Sequence, residues 1–234
     1  MFFPRRYNLK MRIDPAGWPF IGGSAILAGV VYALGSLPVA LVLLIFTAFF
    51  VFFFRDPERS TTAGPDDVVS PADGRVMIAA DAQAAAAPPG SWHQISIFLS
   101  PADVHVNRIP VTGVVTRVTR IIGVFLPAYR PEAASRNDRT EIWIDRGGQT
   151  VICRQVVGIL ARRIVCRVKE GQPVTAGERY GIMKFGSRID LFLPAGSTML
   201  VRVGDRVQGG VTRLATLPAV QPVLHNVGRD FSPA

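Results

Sequence analysis

Between Asp14 and Arg55 the chain carries no charged side chain. Trp18 to Ala33 is apolar, Gly35-Ser36-Leu37-Pro38 interrupts the run, and Val39 to Phe54 is apolar again. At about 1.5 Å per residue, each half reaches about 24 Å as a helix, a little short of a hydrocarbon core of about 30 Å. The pattern predicts an N-terminal hydrophobic α-helical hairpin, either two short spans joined by a tight turn or a re-entrant pair. It is too long and too late for a cleaved signal peptide, and no small-residue cleavage site follows it. Arg5, Arg6, Lys10 and Arg12 precede it; Arg55 and Arg59 follow. Basic flanks on both sides place both ends in the cytoplasm. A hairpin buried in a soluble core is the competing reading, but a run ending in Val51-Phe52-Phe53-Phe54 is hard to bury otherwise. Residues 1–59 are therefore read as a membrane anchor and residues 60–234 as a separate domain.

Beyond Arg59 short Val/Ile/Thr-rich runs alternate with Gly and Pro. Strands are expected at Gln94–Leu99, Gly113–Ile121, Thr140–Ile144, Thr150–Val156, Ile164–Val168, Arg188–Leu193 and Met199–Val203. That spacing reads as mainly β, an antiparallel sandwich or barrel. Ala82–Ala87 ends at Pro88-Pro89-Gly90 and is read as loop. Pro127–Arg139 is read as a long loop, able to move and near the site. Two patterns repeat. Val168-x-x-Gly171-x-x-Val174-x-x-Gly177 returns as Val201-x-x-Gly204-x-x-Val207-x-x-Gly210, and Pro71-x-x-Gly74-x-Val76 as Pro110-x-x-Gly113-x-Val115. The first resembles the hammerhead-like unit of lipoyl and biotinyl carriers. Met183-Lys184 does not supply an acceptor lysine at a hairpin tip, so that likeness is architectural.

The net charge of +9 fits nucleic acid, an anionic membrane or an acidic substrate. No aromatic pair sits in a basic strand as on an RNA-stacking sheet, and the apolar run beside the charge favours lipid over nucleic acid. Cys153 and Cys166 sit among Val and Ile, which suggests buried thiols, with a disulfide as the lesser reading. Two cysteines do not make a four-ligand zinc site, and no metal is expected.

Three polar segments stand out in apolar sequence. They are Ser70-Pro-Ala-Asp-Gly74, Leu99-Ser-Pro-Ala-Asp-Val-His-Val-Asn-Arg-Ile-Pro110 and Gly181-Ile-Met-Lys-Phe-Gly-Ser-Arg-Ile-Asp190. Each has an ordinary explanation taken alone. Asp73-Gly74 is a common turn pair, Gly186-Ser187 is another, and a lone histidine between Val104 and Val106 is usually structural. His93, beside Trp92 at a strand start, is read as structural, and His225 receives no role.

In this order, with Phe54-Arg-Asp-Pro57 and Trp92–Ser100, the segments resemble the short bacterial form of the phosphatidylserine decarboxylase family over nearly the whole chain. The resemblance implies a self-processing proenzyme. Ser187 Oγ attacks the Gly186 carbonyl, the resulting ester breaks by β-elimination, and hydrolysis leaves a pyruvoyl group on the new N-terminus. The products are a β chain, 1–186, and an α chain, 187–234, which remain together as a heterodimer. The pyruvoyl ketone forms a Schiff base with the serine headgroup and withdraws electrons as CO2 leaves. No metal or diffusible cofactor is implied. The activity is conversion of phosphatidylserine to phosphatidylethanolamine in phospholipid biosynthesis, at the cytoplasmic side of the inner cell membrane. Asp73 takes the place of the acidic member of the self-cleavage relay, and His105 that of a proton donor in decarboxylation. The long-form pattern has a second histidine where this chain has Arg108. His105 then serves both steps, or Arg108 contacts substrate phosphate or carboxylate. Decarboxylation of another serine-bearing lipid, and a non-catalytic membrane-tethered hammerhead-type adaptor, are the alternatives.

Overall fold

A computed structural model describes residues 11–83, 87–159, 163–184 and 186–219. Lys10 and everything before it, Phe185, and the tail that carries His225 lie outside the described residues, as do 84–86 of the stretch read as loop.

The uncharged run folds as two helices, α1 (Trp18–Ala33) and α2 (Leu37–Phe53). Pro19 and Pro38 stand in the first turns, where a missing N–H removes no helical bond. Between the helices Gly35 turns the chain at φ +87, a conformation that glycine adopts at little cost. Neither helix has a polar face. Ile26, Tyr32, Leu34 and Ile45 are 65–81% exposed, while Ala28 and Ala40 are buried and Ser24 and Thr47 hydroxyls meet at 2.8 Å. Small residues and a hydroxyl pair between helices, with large apolar side chains outward, suit surroundings of lipid. With the 3-10 turn before it, Pro15–Ala33 is long and apolar enough to cross a membrane; α2 is shorter.

The chain enters and leaves the hairpin through a neck, the antiparallel pair Met11–Ile13 and Arg55–Pro57. Beyond it Phe53 and Phe54 are fully buried against Val104, Val106 and Ile182, which seats the hairpin on the β body.

That body is built on a curled, eight-stranded antiparallel half-barrel. Its order is Pro173–Val174, Gly113–Ile121, Arg139–Arg146, Gln149–Val157, Ser187–Pro194, Trp92–Leu99, Gly74–Asp81 and Arg206–Val207. Two three-stranded sheets flank it. The repeats noted above are the halves of this sheet. Val174 pairs with Gly113 at one edge and Val207 with Gly74 at the other. A Cβ on Gly113 would meet the Asp145 carbonyl oxygen at 2.3 Å, and one on Gly74 the Phe98 carbonyl oxygen at 2.1 Å. The repeat fixes glycine where two backbones cross.

Period-two alternation divides the central strands. Ile95, Ile97, Leu99, Ile189, Leu191 and Leu193 fill the main core. The opposite face is polar yet buried: Arg188 pairs with Asp190 and donates to Ser96 Oγ, and Arg154 pairs with Glu141. Pairing is what allows such charges out of water. The segment read as a movable loop, Pro127–Arg139, contains the short helix Ala133–Arg136 and lies against this face, where Arg154 and Arg139 donate to the Ala134 and Ser135 carbonyls.

Six expected strands extend over the observed ones within two residues at either end; Met199–Val203 shrinks to Thr198–Met199. Gly74–Asp81, Val106–Arg108 and Arg179–Met183 are additional. Both thiols are free: Cys153 is buried beside the Tyr180 hydroxyl at 3.2 Å, and burial pushes it up to about 12 against the lowering effect of that hydrogen bond, while Cys166 is half-buried.

Candidate active site

Ser187 opens the strand Ser187–Pro194 and lies between Leu99 on one neighbouring strand and Val157 on the other. It shares the core-facing side with Ile189, so its hydroxyl is buried, and Oγ has no hydrogen-bond partner among the described residues. A buried hydroxyl without a partner is costly and calls for an explanation. Immediately before it Gly186 is held at φ +70, with open space where a Cβ would stand. Its carbonyl oxygen faces Gly158: a Cβ there would fall 2.4 Å from that oxygen and 3.3 Å from Ala128 Cβ. Gly158 therefore gives the Gly186 carbonyl the room it occupies.

His105 follows the loop that leaves Leu99. Ser100 donates from N and Oγ to Asp103 Oδ2 at 2.8 and 2.6 Å, which fixes that loop. The loop then presents the Asp103 carbonyl to His105 Nδ1 at 2.9 Å. A carbonyl only accepts, so Nδ1 carries the proton and Nε2 holds a lone pair. Nε2 is buried with no hydrogen-bond partner among the described residues. The ring stacks on Phe53 of α2, centroids 4.1 Å apart. Burial holds the imidazole down at about 4, so it is neutral near pH 7 with its Nε2 lone pair free, though a weaker base than an exposed histidine. As a proton donor it must first be charged, for instance with the proton of a serine hydroxyl.

His105 and Ser187 come to one end of the body by local connections. The Met183 N–H reaches the His105 carbonyl at 3.4 Å, and three residues separate Met183 from Ser187. Lys184 in that link places Nζ 4.7 Å from the ring centroid of Phe20 in α1. Lys184, two residues before Gly186, thus lies against the base of the apolar hairpin.

Asp73 occupies the turn before Gly74. Its carboxylate accepts from Arg59 through both oxygens and from the Gly209 N–H at 2.8 Å. Its charge is felt at His105, but no hydrogen bond joins the two side chains. Arg108 is buried. It donates to the Gly177 and Pro57 carbonyls at 3.0 and 2.9 Å and pairs with Asp56 at 3.3 Å, an anion that it shares with Arg179. All of its partners are structural, and burial lowers it to about 10.

The sequence gives no place in the site to Gly158, to Arg59, which reads only as a basic flank, or to Phe53, which reads only as part of the apolar run. Gly158 carried the one usable signal, a glycine directly after a β-branched run. Arg59 lies 14 residues from its partner, and Phe53 is one aromatic among several.

Residues 46–215 match the family described as phosphatidylserine decarboxylase. The chain is 40% identical over 202 residues to a phosphatidylserine decarboxylase proenzyme of Burkholderia ambifaria (strain MC40-6), covering 86% of this chain and 94% of that protein. It is 39% identical over 203 residues, with the same coverage, to the proenzyme of that name in Burkholderia mallei (strain SAVP1). The body on its hairpin is an enzyme of the carboxy-lyase class. The chain belongs to the phosphatidylserine decarboxylase family.

Proposed function

We propose that the chain is a membrane-bound proenzyme that cuts itself between Gly186 and Ser187 and then decarboxylates phosphatidylserine to phosphatidylethanolamine. The observation that carries this reading is the buried Ser187 hydroxyl, unpartnered among the described residues, directly behind a left-handed glycine with open space where a Cβ would stand. His105 Nε2, a buried lone pair at the same end of the body, is suited to take the Ser187 proton. Oγ then bonds to the Gly186 carbonyl carbon as the Gly186–Ser187 C–N bond breaks and the nitrogen is protonated. Loss of the Ser187 α-proton expels the Gly186 carboxylate, and water replaces nitrogen, released as ammonia.

A pyruvoyl group at residue 187 supplies an electrophilic ketone that captures the headgroup amine and accepts the electron pair as CO2 departs. Ser187 fits that precursor: the backbone at the strand start is held by two neighbours while its side chain is unbound. Leu99, Val157 and Phe53 keep bulk water from the position, and His105 Nε2 holds and returns a proton there. The exposed apolar hairpin and its basic flanks support attachment to the inner cell membrane, with the body on the cytoplasmic side.

The test is a denaturing gel of purified protein with mass analysis of the smaller fragment. Two bands, an α fragment beginning at residue 187 with a blocked N-terminus, and CO2 release from carboxyl-labelled phosphatidylserine are expected. Ser187→Ala should give one full-length band and no CO2. Cleavage of that variant at the same bond would refute the reading, since alanine has no nucleophile.

A further inference from the structure

A segment outside the helical hairpin displays apolar side chains beside the cleavage point. Ile122 is 85% exposed, Tyr129 60% and Phe125 39%, and Ile159 on the adjoining strand end is 55% exposed. These side chains do not belong to a slack loop. Asn137 Nδ2 donates to the Leu126 and Val157 carbonyls at 2.7 Å each, and its Oδ1 accepts from the Leu126 N–H at 3.0 Å. Val124 bridges Asn137, and the Tyr129 ring meets Phe98 edge-on at 6.4 Å. A buried amide satisfied on both its donor and acceptor sides fixes the backbone, so the apolar tips are held out in water by construction. Four large apolar side chains grouped around a site mark a contact surface.

The position of the segment identifies what it contacts. Ala128 packs near Gly158, Gly158 adjoins the Gly186 carbonyl, and two residues before Gly186 Lys184 lies on Phe20 at the base of α1. The surface is therefore continuous with the foot of the apolar hairpin. Its charges suit an anionic plane. Arg130 and Arg163 are exposed around it, and Arg163 is close enough to Lys184 to lower it further after burial. Glu132 is the exposed acid in the same stretch.

We infer that the 122–130 segment, with Ile159, is a second membrane contact, a lip that dips into the headgroup region of an anionic bilayer beside Gly186 and Ser187. The inference rests on the membrane attachment proposed above, and it adds that the body lies down on the bilayer with its cleavage point at the interface. Amphipathic contact plus basic side chains is the combination that holds an interfacial element at that depth.

The experiment labels full-length protein with an environment-sensitive nitrobenzoxadiazole probe on a single new cysteine. Cys166→Ser serves as background, since Cys153 is buried and unreactive. Probes go at Phe125→Cys and, independently, at Ile122→Cys, which has almost no packing to lose. Gln149→Cys, at the far turn of the Arg139–Arg146 and Gln149–Val157 pair, is the control. The protein is reconstituted into phosphatidylcholine vesicles with and without phosphatidylglycerol, and quenching by brominated acyl chains is read. At 122 and 125 a blue shift and at least threefold stronger quenching than at 149 are expected, greater with phosphatidylglycerol. Quenching at 122 and 125 no stronger than at 149, in protein that floats with the vesicles, overturns the lip. So does a blue shift without lipid quenching, which marks contact with a second copy. Equal quenching in both vesicle types overturns the anionic assignment. Failure to float at all overturns the membrane attachment itself. None of these readouts uses decarboxylation.

Discussion

Arg59 grips both carboxylate oxygens of Asp73, at 2.5 and 2.8 Å, and also donates to the Gly209 carbonyl at 2.7 Å. The two side chains are 6% and 16% exposed. The fork ties the first residues after the neck of the hairpin to the turn that precedes Gly74. A two-pronged guanidinium contact sets orientation as well as charge, and lysine does not reproduce it. If Asp73 acts in self-cleavage, it acts as one half of this pair. Arg59→Met and Asp73→Asn should each slow processing roughly tenfold or more, and the double variant should be no slower than the worse single one. Band ratios over a time course after synthesis measure this. Losses that multiply would separate the two residues. Arg59→Lys should recover part of the rate.

Gly158→Ala places a Cβ 2.4 Å from the Gly186 carbonyl oxygen, a backbone atom with no rotamer to escape into. The Gly186 carbonyl must move. Overpacking of this kind costs about 1–3 kcal/mol. The variant should accumulate uncut chain, and on a Ser187→Ala background its melting temperature should fall. Normal processing by Gly158→Ala would show that the carbonyl position is not critical.

His105 gives a pH dependence of defined sign. Burial lowers it from 6.5 to about 4 in the fold. Between those values the unfolded chain binds a proton that the folded chain refuses. The stabilisation is whole above about pH 6.5 and is lost as pH falls toward 4. The full difference is on the order of 3 kcal/mol. Thermal melts of uncut Ser187→Ala protein should drop across that window, and the same melts with His105→Gln added should drop less. A parallel fall in both would remove His105 as the cause. His105→Ala should abolish nearly all CO2 release and slow, without eliminating, cleavage.

The neck makes a topological claim. Arg12 and Ser60 flank a hairpin whose two ends pair antiparallel at Met11–Ile13 and Arg55–Pro57. Single cysteines at residues 12 and 60 should be modified from the cytoplasmic side alone in intact cells. Labelling on opposite sides of the membrane would exclude the hairpin.

The apolar hairpin was legible because a run without charge admits few folds, and its proline–glycine break falls where the helices end. Long strands such as Gly113–Ile121 were legible by alternation. Gly74–Asp81 was hidden because its alanines and flanking charges dilute the alternation. Val106–Arg108 is three residues long, too short for any period to show. Ser187, Gly186, His105 and Asp73 stood out through their segments taken together. The Arg59 fork, the Asn137 clamp and the space at Gly158 did not, because each is a contact between residues distant in the chain. Arg108 shows the converse: its residue type suggested an anionic ligand, and the fold supplies Asp56 and two carbonyls instead.

The strand that begins at Ser187 has a neighbour from the preceding segment on each side, Gln149–Val157 and Trp92–Leu99. With the cut proposed above between Gly186 and Ser187, the new terminus emerges from the middle of a sheet rather than from its edge. The short fragment stays in place because both ladders would have to open for it to leave. Refolding, however, changes its molecularity: the uncut chain can regain its structure alone, whereas two severed pieces must first find each other in solution. On the processing proposed above each molecule is matured only once, and heat or denaturant should act on the cut enzyme with hysteresis, erasing it at a rate set by unfolding rather than by an equilibrium.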